Sequence, residues 1–155
     1  MRRVTMNRRH STLYLILYFL IIAIVAGCTQ GTPQISIKDA TLIPSQMLVG
    51  RASSFMKIVN TGEGGDLLKG CSIKEHPSVR GEIHNVVDGK MVKIEKIDIP
   101  AGQQTDLKMG SFHLMFFGLP EQIEEEVTLV LLFQQSGPIE VRAPVSIMAG
   151  HGMNH

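Results

Sequence analysis

Two histidines and two methionines carry the chemistry that this sequence offers. His84 and Met91 flank the dipeptide Asp88-Gly89 in EIHNVVDGKM, and His113 and Met115 stand two residues apart in SFHLMFFG. Asp-Gly between two apolar runs signals a two-residue type I′ hairpin, because both central positions of that turn need positive φ. The turn fixes a register in which Val87 opposes Lys90, Val86 opposes Met91 and His84 opposes Lys93. Opposed residues share a sheet face, and so do residues two apart on one strand. His84 and Met91 are therefore diagonal neighbours on one face, with Cβ atoms ~7 Å apart. By the same alternation His113 and Met115 point to one side of their own strand.

If the strands bring both pairs together, two imidazoles and two thioethers converge. Thioether sulfur is soft, uncharged and weakly basic, a poor ligand for Mg²⁺, Ca²⁺ or Zn²⁺ and a good one for Cu(I). Outside the cytosol it has a further advantage, since thiolates are easily lost to disulfides while thioethers stay available. A plainer alternative keeps Met91 and Met115 as packing residues and His84 as a satisfied strand histidine, the coincidence following from nine methionines in the chain.

The front of the chain says where this chemistry takes place. MRRVTMNRRHST holds four arginines and no acid, an apolar run follows from Leu13 to Ala26, and the run stops at VAGC. That is the layout of a secretory signal; at about 14 residues the run is short of the roughly 20 of a spanning helix, with a spanning anchor as the other reading. Small residues before Cys28 resemble a bacterial lipobox, which makes residues 1–27 a lipoprotein signal peptide and Cys28 the lipid attachment point. The alternative is ordinary cleavage near Ala26 with Cys28 a bystander. Either way the protein is exported, and the expected location is the periplasmic side of a bacterial cell envelope.

Loss of residues 1–27 reduces the 15 basic residues to 11 against 14 acidic ones, a net charge of −3 with His neutral. A mildly acidic domain without a basic stripe is a poor partner for phosphate backbones, which excludes nucleic acid as an expected partner. With Cys28 acylated, Cys71 has no partner in the chain, so a hydrophobic core rather than disulfides must hold the fold. Cys71 itself reads as a small buried apolar residue, or else as a soft ligand or mixed-disulfide site.

Residues 28–33 read as the lipidated cysteine and a polar tether, and residues 34–148 as one domain. Its pattern is strand after strand: QISIKDA, SSFMKIVN, DLLKGCSI, RGEIHNVV, KMVKIEKIDI, FHLMFFGL, EVTLVLLFQ and PIEVRAPVSI, separated by Gly, Pro, Asp and Asn clusters. Seven or eight short strands without helical periodicity predict an all-β chain, an antiparallel β-sandwich of the immunoglobulin or cupredoxin kind. Only PEQIEEE has the makings of a helical turn. Residues 149–155 read as a flexible tail.

The segments EIHN…DGKM, IDIPAGQQTDLKMGSFHLMFFGL and IEVRAPV resemble the PCuAC-type periplasmic copper(I) chaperones, over roughly Ile35 to Val145. In that family a His, then a Met, precede His-x-Met across 21 intervening residues, and residues 92–112 supply that number between Met91 and His113. The resemblance implies a cupredoxin-like β-sandwich whose Cu(I) ligands are His84, Met91, His113 and Met115. It also implies a copper-accepting partner, such as components that assemble the copper centres of cytochrome oxidase. The His84–Met91 segment is about four residues shorter than the family's; two lost from each arm leave each ligand on its face. Met109 stands where the family usually has proline, as an accessory thioether or a rim hydrophobe. Glu124–Glu126 replace a more glycine-containing turn. His151, Met153 and His155 resemble the His- and Met-containing extensions of some members, which suggests a secondary site open to Cu(II) or a handoff arm, against the alternative of an unstructured terminus.

Three other functions compete with a copper(I) carrier. A copper-free β-sandwich lipoprotein could scaffold envelope proteins. An electron-transfer cupredoxin would need a thiolate beside two imidazoles, and Cys71 is the sole candidate although it precedes both histidines. An enzyme is the least supported, because no Ser/His/Asp set, acid pair or phosphate loop is legible.

Overall fold

The computed structural model describes residues 31–146. The signal sequence, Cys28 and the tail with His151, Met153 and His155 lie outside the described residues.

Ten strands follow one another: β1 (Ile35–Pro44), β2 (Arg51–Asn60), β3 (Asp66–Ile73), β4 (Arg80–Val87), β5 (Lys90–Ile94), β6 (Ile97–Ile99), β7 (Gln104–Leu107), β8 (His113–Phe117), β9 (Glu126–Phe133) and β10 (Gly137–Pro144). They form two antiparallel sheets. The first has the order β1-β2-β8-β4-β5, with β7 also paired to β2; the second has the order β10-β9-β3-β6. The alternation that marked the strands in sequence is what builds the sandwich. Ala52, Met56 and Ile58 of β2 and Leu114 and Phe116 of β8 are buried on the inner face of the first sheet, against Leu129, Leu131 and Phe133 of β9 in the second. Burying each large side chain contributes roughly 1.5–3 kcal/mol, and these interdigitated faces are the core that replaces a disulfide framework.

Three sequence expectations change. PEQIEEE forms bends rather than a helical turn, and there is no helix among the described residues. KMVKIEKIDI is two strands, not one: β5 stays beside β4, while β6 crosses to the second sheet and pairs with β3. Ile97 and Ile99 are buried there, whereas β5 is largely exposed, so core burial pulls the second half of the segment away. The third concerns QTDL, which has no strand signature of its own yet becomes β7 by pairing with β2 from Met56 to Val59.

β7 and β8 lie along the same edge of β2, one after the other. Between the pairs Met56–Leu107 and Ser54–Leu114, β2 has the single residue Phe55, whereas the other side has residues 108–113. The excess is extruded as a loop, closed by backbone bonds from Lys108 N to the Phe112 carbonyl at 2.8 Å and from Ser111 N to the Lys108 carbonyl at 3.1 Å. Gly110 turns the loop at φ 77°. It delivers the chain to His113.

Candidate metal centre

The hairpin forms as its dipeptide dictates. Asp88 and Gly89 take φ values of 51° and 72°, and Val87 pairs with Lys90, Val86 with Met91 and His84 with Lys93. The strand order then does what no local signal could, by seating β8 on the other side of β4 with His84 directly opposite His113 and Glu82 opposite Met115. Opposed residues share a face, so His84, His113, Met115 and, by the diagonal, Met91 all occupy the outer face of the first sheet. The imidazole centroids lie 5.8 Å apart.

Three of the four side chains are covered although they lie on the outer face: His84, His113 and Met115 are buried, and Met91 is 55 % exposed. Aromatic rings flank the imidazoles. Phe55 sits 6.3 Å from His113 and Phe117 6.3 Å from His84, ring centre to ring centre. The guanidinium of Arg80 stacks over Phe117 at 4.8 Å.

Each imidazole has one nitrogen engaged and one left over. His113 Nδ1 lies 2.8 Å from the Ser111 carbonyl, which can only accept, so Nδ1 carries the proton and Nε2 keeps its lone pair. His84 Nε2 donates to Glu82 Oε2 at 2.9 Å, which leaves Nδ1 with the lone pair; that nitrogen is buried and has no partner. A buried, unpartnered acceptor is costly, and a metal ion is a group that would satisfy it. A carboxylate or carbonyl on the far nitrogen is the arrangement that fixes ring orientation and raises ligand basicity in metal-binding histidines. Glu82 is itself held by Lys93 Nζ at 2.9 Å and by Arg80. Donation from Lys93 and His84 keeps its carboxyl below the ordinary carboxylate range. Met115 is positioned in turn by the Ser53 hydroxyl, which donates to its sulfur at 3.1 Å. Among the described residues no group of three or more His, Cys, Asp and Glu is placed to hold a metal ion.

Glu82 was within reach of the sequence, because it stands two residues before His84 on the same strand and so on the same face. Ser53, Phe55 and the Ser111 carbonyl were not, since all depend on how β2 and the extruded loop meet β8.

Cys71 is on the wrong side for a thiolate–imidazole centre. A Cβ built on Gly81 would lie 2.8 Å from its sulfur, so the thiol faces the inner side of β4, opposite to Glu82 and His84. Burial, and then the charge of Glu82, pushes the thiol pKa up to about 12. Partly buried, it packs against the hydrophobic core, which agrees with the packing reading of the two the sequence left open.

This geometry defines a cupredoxin-like antiparallel β-sandwich with a His/Met face. The chain belongs to the LpqE-like family, named for the lipoprotein LpqE, whose model matches residues 35–145. Solved structures similar to it include the copper-bound PCuAC domain from PmoF2, at 18 % identity and a TM-score of 0.61 over 73 % of this chain and 92 % of that domain. The apo PCuAC domain from PmoF1 is similar at 17 % identity, with a TM-score of 0.61 over 73 % of this chain and 93 % of that domain. No curated protein matches the sequence. The PCuAC resemblance carried by the sequence motifs therefore extends to the fold.

Proposed function

We propose that this chain is a copper carrier of the cell envelope, which holds Cu(I) on His84, Met91, His113 and Met115 and passes it to a copper-accepting protein by ligand exchange. The copper centres of respiratory oxidases are the recipients that the family resemblance favours. The observation that carries the reading is the direct opposition of His84 and His113, each with one ring nitrogen engaged by a protein acceptor and the other free to bind. Support also comes from the copper-bound state of the similar PmoF2 domain. Two thioethers among the donors favour Cu(I) over hard divalent ions.

The exposure pattern suggests how release proceeds. Met91 is the one ligand open to solvent, so an incoming donor from a partner displaces it first and the three covered ligands afterwards. Attachment through a lipid on Cys28 would hold the carrier at a membrane, a reading that the lipoprotein name of the family supports. The tail residues His151, Met153 and His155 would add a weaker site open to Cu(II).

The test is competition for Cu(I) against a chromophoric chelator. Replacing Met91 and Met115 together with leucine should keep the fold and greatly weaken binding. An unchanged competition curve refutes the four-ligand site, and a wild-type chain that takes no Cu(I) from the chelator leaves a copper-free scaffold in its place.

A further inference from the structure

Beside the histidine pair lies a cavity of about 490 Å³, lined among others by Met47, Met91, Met109, Phe55 and His113. None of its lining residues is an Asp, Glu, Lys or Arg. Of the five methionines among the described residues, only Met56 belongs to the core and only Met115 is otherwise placed at the site; the other three meet here. Met47 is 92 % exposed and Met109 is 68 % exposed.

Simple apolarity does not account for this choice. In the loop Met47-Leu48-Val49 all three side chains are exposed, yet only Met47 lines this cavity, while Val49 borders a neighbouring one. Met109 sits in the extruded loop of residues 108–112, one residue before the turn at Gly110 and four before His113. Two separate loops thus each bring a solvent-exposed thioether to the rim of a cavity whose wall already contains Met91 and His113. Three thioethers in a cleft without a carboxylate suit a soft monovalent cation better than the hard ions Mg²⁺ and Ca²⁺.

We propose that Met47 and Met109, together with Met91, form a second thioether site for a soft monovalent cation, Cu(I) or its surrogate Ag(I), which receives the ion at the surface before it reaches His113. The proposal rests on the carrier reading above and extends it to a step outside the His84–His113 pair. Met91 serves one site at a time and connects them: once an ion sits on His84 and His113 it is committed there, and the second ion is held by Met47 and Met109 alone and therefore more weakly.

The experiment is a titration of the full-length chain with Ag(I), followed by NMR of ¹³C-methyl methionine and of the histidine rings. The first equivalent should move the signals of His84, His113 and Met115. A second, weaker equivalent should move the methyls of Met47 and Met109, and the double variant Met47→Leu, Met109→Leu should lose that equivalent alone while retaining the first. If the methyls of Met47 and Met109 stay still at both equivalents, or the double variant keeps the second one, the thioether site is overturned. A second equivalent that moves Met148 and Met153 instead also overturns it, by assigning the ion to the tail. Still histidine signals at the first equivalent would be a separate failure, that of the carrier reading.

Discussion

His84 and His113 are directly opposed across the β4–β8 ladder, with ring centroids 5.8 Å apart. Neither residue lies on the strand or hairpin of the other, so the pair exists only because β4 is inserted between β5 and β8. Each ring shows its engaged nitrogen to the protein, Glu82 for one and the Ser111 carbonyl for the other.

The two methionines of the proposed centre should separate in their effects on stability. Met91→Leu removes a thioether from an exposed position, so unfolding free energy should stay within about 0.5 kcal/mol of wild type. Met115→Leu is nearly isosteric but buried, and it deprives the Ser53 hydroxyl of its acceptor, so a loss of up to about 1.5 kcal/mol is expected. Both variants should bind Cu(I) more weakly. Chemical denaturation alongside chelator competition checks the split.

Glu82 should act through His84 rather than on the metal. Its carboxylate holds Nε2–H and leaves Nδ1 as the donor, so Glu82→Ala should weaken Cu(I) binding by about 10–100-fold. Glu82→Gln should retain more, because an amide oxygen still accepts from Nε2. Nitrogen NMR of the apo protein provides the independent readout: His84 protonated on Nε2 in wild type, and mixed tautomers in the alanine variant. Identical tautomer populations in the two would remove Glu82 from this role.

Cys71 should be silent in both redox and metal chemistry. A thiol with its pKa pushed up to about 12 is almost wholly protonated at neutral pH, so a thiol-specific reagent should label it only after unfolding. Cys71→Ala should bind copper as wild type does, and the loaded protein should lack an intense blue thiolate band. Appearance of that band would restore the electron-transfer reading.

Asp66 should set an acid limit on the fold. Burial opposes its ionisation, but the Ser136 side chain and the backbone amides of Gln135, Ser136 and Leu67 outweigh that and hold its pKa below the usual value. The amides donate to its carboxylate at 2.8–2.9 Å. Because the folded pKa is depressed, this stabilisation is fully present above the unfolded value of about 3.9 and is lost as pH falls through the folded one. Asp66→Asn should lower stability at neutral pH by about 1–3 kcal/mol and flatten the decline below about pH 4. Parallel acid profiles for the two proteins would contradict this account.

Much of the architecture was legible because it is periodic. Alternation in SSFMKIVN and EVTLVLLFQ marks β2 and β9 with their inner and outer faces, and Asn60-Thr61-Gly62 marks the turn after β2, where the Asn60 carboxamide accepts from Gly62 N at 3.0 Å and donates to the Gly64 carbonyl at 2.8 Å. The parts that were not legible are those whose state depends on a distant strand. QTDL is β7 because β2 offers it an edge, and Ile97–Ile99 leaves the hairpin because the second sheet has a place for Ile97 and Ile99 in the core.

The same division runs through the candidate site. Sequence alone determined that His84 and Met91 share a face, since Asp88-Gly89 admits one tight turn and side chains alternate with period two, and that His113 and Met115 share another. Only the tertiary structure decided that the two faces are one, with Cys71 behind it and Met47 and Met109 beside it. Strand order and loop extrusion follow from burial across the whole sandwich, and no window of sequence holds both sides of that contact.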